Sequence, residues 1–375
     1  MTVEIKKLEF DHPGLKTGWE RLHAHSADSS VVQGWDWADC WWRTYGGDRT
    51  SWVLGAYRDG ELVGIAPLAK NLNPTRYFGF LGLQTIWFVG SGRTKARGVL
   101  SEYLDFIVRD GSKDECARAL LGYLAGDTGW DEIILDNISA ESGTVALLER
   151  YARDYGLKYE VVDKTPTILI KLPASWDEYL QSISSNLRYR INRGRKEFTS
   201  HGGEYHLVEN EAQLSGAMAD LEKLHQHRWE GKGQDGAFAS QHWKSFHTLL
   251  VPRLFDKGMV KLSFLKLDGQ AVAANYNFAC NGKIHFFQSG MIPHENKHIR
   301  LGLILHSYCI EEAIREGYKE YDFLKISSSG PGYKEMWGNY SRDLLTIRIT
   351  RKTIKEYAYM LSSNIKKHLK KILAS

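Results

Sequence analysis

Between Lys283 and Gly338 the chain gathers its densest set of residues suited to holding a charged group. Lys297, Arg300, Leu301 and Gly302 sit where a short alternating strand gives way to an apolar-faced helix. The first turn of a helix presents backbone N–H groups without intrahelical acceptors and the positive end of the macrodipole. A pyrophosphate fits there, with Gly302 letting it approach and Lys297 and Arg300 adding charge. The competing reading is an ordinary loop with solvated basic residues. Upstream, Arg188, Arg190, Arg193 and Arg195 crowd one short stretch. On a helix Arg188 and Arg195 share one face, and Arg190 and Arg193 another. Arginine forks suit phosphate or carboxylate, so a sugar-nucleotide or lipid-phosphate substrate would fit; a solvated basic face is the plainer alternative.

His294-Glu295-Asn296-Lys297-His298 matches H-E-x-x-H, the pattern of zinc proteases, with Glu316 and Glu320 downstream as carboxylates. That chemistry needs both histidines on one helical face. Pro293 precedes the motif, and the helical pattern of Leu301, Ile304, Leu305 and Tyr308 begins only after it. No metal site is therefore expected.

The elements that must position these residues read as follows. Val3 to Leu8 predicts a strand and Val31 to Tyr45 a helix. Apolar runs flank Asp59-Gly60, a tight-hairpin signal. Ser101 to Arg109 and Trp130 to Asn137 read as strands, Lys113 to Leu124 and Glu141 to Tyr155 as helices, and two further strands close at Leu172. The second half repeats this order, with hairpin signals at Asp268-Gly269 and Asn281-Gly282, then the strand Lys283 to Gln288, a helix, and the strand Glu320 to Lys325. The pattern D-G-x-x-V-small recurs as Asp59, Gly60, Val63, Gly64 and Asp268, Gly269, Val272, Ala273, which suggests a degenerate duplication. Where the second half carries Lys297 to Gly302, the first has Asp110-Gly111-Ser112-Lys113-Asp114, whose carboxylates would repel phosphate. Between the halves 175–198, 211–231 and 242–255 read as helices. The expected organisation is 1–172, 173–350 and a basic helix over 351–375.

With 375 residues, 43% hydrophobic and 25% charged, the chain suits one large or two ordinary soluble domains. Twelve Trp point to wide aromatic packing or a large cleft. Cys40, Cys116, Cys280 and Cys309 have no paired spacing and read as reduced thiols of a cytoplasmic protein. The uncharged run Tyr77 to Gly92 is too short for a membrane span. Net charge is +4, of which residues 351–375 contribute +6, so the other 350 residues sum to −2. A general nucleic-acid surface is not indicated. The terminal helix, with Ile354, Tyr357, Leu361, Ile365, Leu369 and Ile372 between lysines, either caps the second domain or makes peripheral contact with the inner face of an anionic membrane.

The runs SISSNLRYRINRGRKEF, LEKLHQHRW, GLILHSYCIEEAIREGYKEYDFLK and GYKEMWG resemble the GNAT-type acyltransferase domain. The nearest subgroup is the CelD-like one of cellulose and exopolysaccharide biosynthesis; more distantly the chain is similar to Fem-type peptidyltransferases with two GNAT-like halves. The resemblance implies an α/β (α+β) fold with tandem halves, bent mixed sheets and helices inserted between them. It places acetyl-CoA or another acyl-CoA between two splayed strands, with pyrophosphate on the loop before the helix at Leu301. The family's loop is (Arg/Gln)-x-x-Gly-x-(Gly/Ala); here Arg300 stands in place of a glycine, which leaves an acyl carrier protein open as donor.

The reaction implied is attack of an amine or hydroxyl of a cell-envelope or polysaccharide precursor on a thioester. Backbone N–H groups around Gln288, Gly290 and Met291 would meet the carbonyl oxygen. Tyr333 would be the acid, Asp322 the base or orienter, and Lys334 a holder of an anionic group, with Arg188, Arg190 and Arg193 toward the acceptor. Asp322 bonding to the loop beyond it, and Tyr333 packing on Trp337, are the structural alternatives. An aminoacyl-tRNA-dependent transferase and a non-catalytic accessory protein of a polysaccharide synthase are the functional ones.

Overall fold

Three hairpin turns share one backbone solution. Asp59-Gly60, Asp268-Gly269 and Asn281-Gly282 all take positive φ at both central positions, the mirror-image turn that matches strand twist. In the computed structural model, which describes residues 3–26, 29–92, 101–230, 233, 235–326 and 333–372, the chain divides into two compact units. One comprises residues 3–165 with 343–372, the other 166–342. The boundary thus falls within the strand Lys158–Lys171, ahead of the expected Pro173.

Besides the two-stranded pair Thr75–Tyr77 and Leu81–Leu83, the described residues of the first unit form two sheets. One runs, in spatial order, Glu4–Leu8, Val53–Arg58, Glu61–Ala66 and Ile107–Val108. Only this last pair forms the strand expected over Ser101 to Arg109. In the other, Glu132–Ser139 pairs in parallel with Thr85–Phe88 at three positions and antiparallel with residues 344–350. Aromatic packing accounts for much of the tryptophan content: Trp19, Trp37, Trp41 and Trp130 are fully buried. The helix Ile354–Ile372 belongs to this unit, which corrects the expectation that it caps the second. The physical reason is a buried ionic cluster. Arg348 donates from Nε to Glu132 (2.8 Å) and from both terminal nitrogens to Glu356 on that helix (3.0 and 2.8 Å).

In the second unit the strands Gly203–Leu207, Val260–Leu267, Gln270–Cys280 and Lys283–Met291 pair antiparallel in that order, then Lys283–Met291 meets Glu320–Lys325 in parallel. Residues 167–171 complete the sheet on the far side of Glu320–Lys325. Successive side chains of a strand point to opposite faces. Asn275 reaches His306 of the helix Leu301–Arg315, while Tyr276 reaches His247 of the helix Gln241–Phe255, so those helices cover opposite faces. The stretch 175–198, read as one helix, is two: Trp176–Ser182 and Ser185–Ser200. The break has a local cause, since Ser184 leaves the helical conformation and its side chain accepts from Leu187 N. Gly194 buries this second helix against Leu301–Arg315, where a Cβ would lie 3.2 Å from the Ile304 side chain.

All four cysteines are buried thiols outside any disulfide. Among the described residues no helix is long and apolar enough to cross a membrane.

Candidate functional site

The strands Lys283–Met291 and Glu320–Lys325 pair only from Lys283/Glu320 to His285/Asp322. Both run on past that register, to Met291 and to Lys325, without further pairs between them among the described residues. The sheet is thus open at the carboxyl ends of two parallel strands. A cavity of about 600 Å³ lies in this unit, lined by Met291, Arg300, Leu301, Gly302 and Leu303, by Arg190, His227 and His306, and by Tyr333 and Met336 of the turn Tyr333–Met336 with Trp337.

One end of the cavity is cationic. The helix Leu301–Arg315 begins there with Arg300 as its N-terminal flanking residue, without a side-chain cap and with no acidic residue in its first turn. The first intrahelical bond is Ile304 N to Arg300 O, so the N–H groups of Leu301, Gly302 and Leu303 have no acceptor within the helix. Arg190 arrives from the helix Ser185–Ser200. Its Nε is buried and has no hydrogen-bond partner among the described residues. Burial, and then the charge of Arg300, lower its pKa from the ordinary arginine value. Two guanidinium groups that repel one another beside a bare helix N-terminus are stabilised by an anion.

Gly302 does not lie open at this end. A Cβ there would sit 2.9 Å from Cε of Met291, so the glycine seats the helix against that thioether. Gly290 also serves packing: a Cβ would fall 2.3 Å from the His225 backbone nitrogen, which lets the helix Leu214–Glu230 lie directly on the strand. Gln288, Gly290 and Met291 pair with Tyr276, Ala274 and Ala273 on one side, and their other edge is the one left open where the parallel strand departs.

The remaining predicted residues separate clearly. Tyr333 lines the cavity with its ring 5.6 Å from that of His306. Asp322 is buried and accepts a hydrogen bond from Leu324 N (2.7 Å), where the backbone turns to positive φ; it does not line the cavity. Lys334 donates to Lys325 O (2.8 Å) and to Phe323 O, tying the turn to the strand end. The Ser/Gly/Pro loop over 327–332 lies outside the described residues. Lys297 is on the loop before the helix and does not line the cavity. Arg188 donates to Leu180 O and Arg193 to Tyr189 Oη, both away from it. Arg195 is spent on structure, donating to Ser307 Oγ (2.8 Å) and Glu311 (2.5 Å). His294 to His298 form an irregular loop in which His294 Nδ1 accepts from Asn296 N, and no metal-holding group of three ligands occurs among the described residues.

His306 was not among the sequence candidates. It is buried, with Nδ1 3.3 Å from both Asn275 Nδ2 and Tyr321 Oη, and it packs edge-on against Phe286. Burial holds the Tyr321 phenol well above its usual pKa, so it stays protonated beside the imidazole. A polar residue inside the apolar pattern of a helix was the only signal for it.

Residues 185–335 match the family model described as acetyltransferase (GNAT) domain. No curated protein sequence matches the chain. Solved structures are similar over nearly its whole length. FemX is 14% identical with a TM-score of 0.63, covering 96% of this chain and 99% of that one. A conserved protein of unknown function from Bacteroides thetaiotaomicron VPI-5482 is 9% identical with a TM-score of 0.57, over 93% of this chain and 100% of that one. The C-terminal domain (DUF2156) of a putative lysylphosphatidylglycerol synthetase from Agrobacterium fabrum is 11% identical with a TM-score of 0.51, over 93% and 95%. At these identities the likeness is one of fold. The matched segment spans the opened strand pair, the helix Leu301–Arg315 and most of the cavity wall, so the site lies largely within the residues that match the GNAT acetyltransferase model, in a fold similar to that of FemX.

Proposed function

We propose that the cavity is an acyl-transfer site that takes an acyl-CoA, or an acyl carrier, as donor. The observation that carries this is the buried, unpartnered Nε of Arg190 facing Arg300 at an uncapped helix N-terminus. Donor phosphates supply the missing acceptors. The thioester then lies toward the open strand edge, where a backbone N–H from Gln288 to Met291 meets the carbonyl oxygen as it becomes an oxyanion. An amine or hydroxyl of a cell-envelope or polysaccharide precursor attacks the carbonyl carbon. The new C–N or C–O bond forms, the C–S bond breaks, and the Tyr333 hydroxyl protonates the departing thiolate. The acceptor's own proton passes to solvent. His306, in the cavity wall, packs against the Tyr333 ring, and Asp322 orients the strand end to which Lys334 ties the Tyr333 turn.

The similarity of fold to FemX supports the second reading, an aminoacyl-tRNA-dependent peptidyltransferase. Thermal shift separates the two. A ligand at about 100 Kd raises the melting temperature by several degrees. CoA, acetyl-CoA or a longer acyl-CoA giving that rise, abolished in Arg190→Ala/Arg300→Ala, supports the main reading. Stabilisation by aminoacyl-tRNA alone supports the second. Silence toward every CoA species overturns the first as stated.

A further inference from the structure

The helix Ile354–Ile372 is docked the wrong way round for a helix that merely caps a domain. The side facing the protein carries Glu356 and Tyr359: Glu356 is buried against Arg348 and Lys158, and Tyr359 lies over the Arg348 guanidinium at 4.0 Å with its ring edge-on to Tyr77. Its apolar stripe faces out. Ile354 is 88% exposed, Leu361 66% and Tyr357 60%, positions that recur at helical spacing on one side. Burying aliphatic and aromatic surface is the usual reason for such a stripe, so it is built to be covered by something outside this unit.

Charge selects what covers it. The terminal 25 residues carry +6; within them Glu356 pairs with Arg348 and Lys158, and Lys355 with Asp131. A second copy of this helix would bring a second +6 against the first. A surface of opposite charge with an apolar interior satisfies both the stripe and the basic sequence of this segment.

We propose that the outward face of this helix docks in the plane of an anionic lipid bilayer, with Ile354, Tyr357 and Leu361 entering the acyl boundary and the lysines at the headgroups. The inference is independent of the chemistry at the cavity.

The test is co-sedimentation of the full chain with vesicles of phosphatidylcholine alone and with phosphatidylglycerol added, at low and high salt. The proposal expects binding at least about tenfold stronger to the anionic vesicles, weakened by salt. Ile354→Asp/Leu361→Asp should abolish it, and Lys366→Gln/Lys367→Gln/Lys370→Gln/Lys371→Gln should remove the preference for anionic lipid. The first pair is exposed, so an unchanged melting temperature verifies the fold. Equal or absent binding to both vesicle types overturns the proposal. So does concentration-dependent dimerisation lost in Ile354→Asp/Leu361→Asp, which would show a second copy covering the stripe.

Discussion

The helices Lys113–Gly126 and Leu301–Arg315 occupy like places in strand–helix–strand segments of the two units, yet their first turns are opposites. Thr85–Phe88 and Glu132–Ser139 on either side of the first, and Lys283–Met291 and Glu320–Lys325 on either side of the second, pair in parallel at three positions; the first segment also carries Ile107–Val108, which joins the other sheet. The first helix starts with Asp114 and Glu115. Glu115 accepts from Arg58 (2.5 Å) and Asp114 from Tyr151 Oη (2.9 Å), so acidic side chains already occupy the positive end of the dipole. The second helix has no acid in its first turn and gathers Arg190 and Arg300 instead. One helix end is neutralised from within the chain, and the other is left for a ligand. If the two units descend from one segment, the proposed donor site falls in the one whose helix kept no carboxylates of its own.

The difference can be broken from either side. Reversing both charges, Arg190→Glu/Arg300→Glu, should weaken CoA binding by at least about a hundredfold, since charged hydrogen bonds contribute roughly 1.5–3 kcal/mol each. Titration calorimetry reads this directly, and a loss of under threefold would place the phosphates elsewhere.

Acid should also distinguish the units. The buried histidines among the described residues, His225, His247, His285 and His306, all lie in the second. Burial, aided by Lys283 and Arg342, lowers the His285 pKa to about 3, and burial lowers that of His247 well below the ordinary value. Above about pH 6.5 these rings are neutral whether folded or unfolded and cost nothing. Below it the unfolded chain binds protons that the folded chain refuses. Stability should therefore fall by up to about 1.4 kcal/mol per pH unit for each such ring as pH drops from about 6.5 toward 3. Hydrogen exchange against pH should show the second unit opening first, and His285→Gln should flatten its slope.

A smaller change imports the first unit's chemistry into the second. Gly302→Asp places a carboxylate in the bare first turn and should cost about tenfold in CoA affinity. Gly302→Ala meets the same flexible Met291 thioether without the charge, and should stay within about threefold. Equal losses would show that packing at Gly302, not charge, controls the site. The smallest effect is expected at the self-neutralised end. Glu115→Gln removes a partly exposed ion pair with Arg58 and should cost roughly 0.5–1 kcal/mol in a denaturant titration, with CoA affinity untouched.

Much of this contrast was legible in the sequence because it is local. Asp-Gly and Asn-Gly fix turns within two residues, the apolar period starts the helix at Leu301, and the acids at 110–114 announce a different loop. What failed to show depends on contacts distant in the chain. Ser101 to Arg109 alternates like a strand, but only Ile107–Val108 finds a partner edge, against Glu61–Ala66. Four arginines in one stretch look alike, and only the fold sends Arg190 into the cavity while Arg195 is consumed by Glu311. His306 reads as an interruption of an apolar helix until Tyr333, far along the chain, is brought beside it. The terminal helix declares its amphipathic pattern plainly, but the choice of its Glu356 side for docking rests on Arg348 and Glu132, which no local pattern connects to Glu356.

Arg190 and Arg300, at the first turn of Leu301–Arg315, are proposed to hold the phosphates of an acyl thioester. Titration calorimetry of CoA into the native chain and into Arg190→Gln tests it most directly. Binding to the native chain should be saturable, and weakened at least about tenfold in the variant, as expected for losing one charged hydrogen-bonding group. Binding of equal strength to both chains, or none to the native chain by CoA or any acyl-CoA, would contradict it.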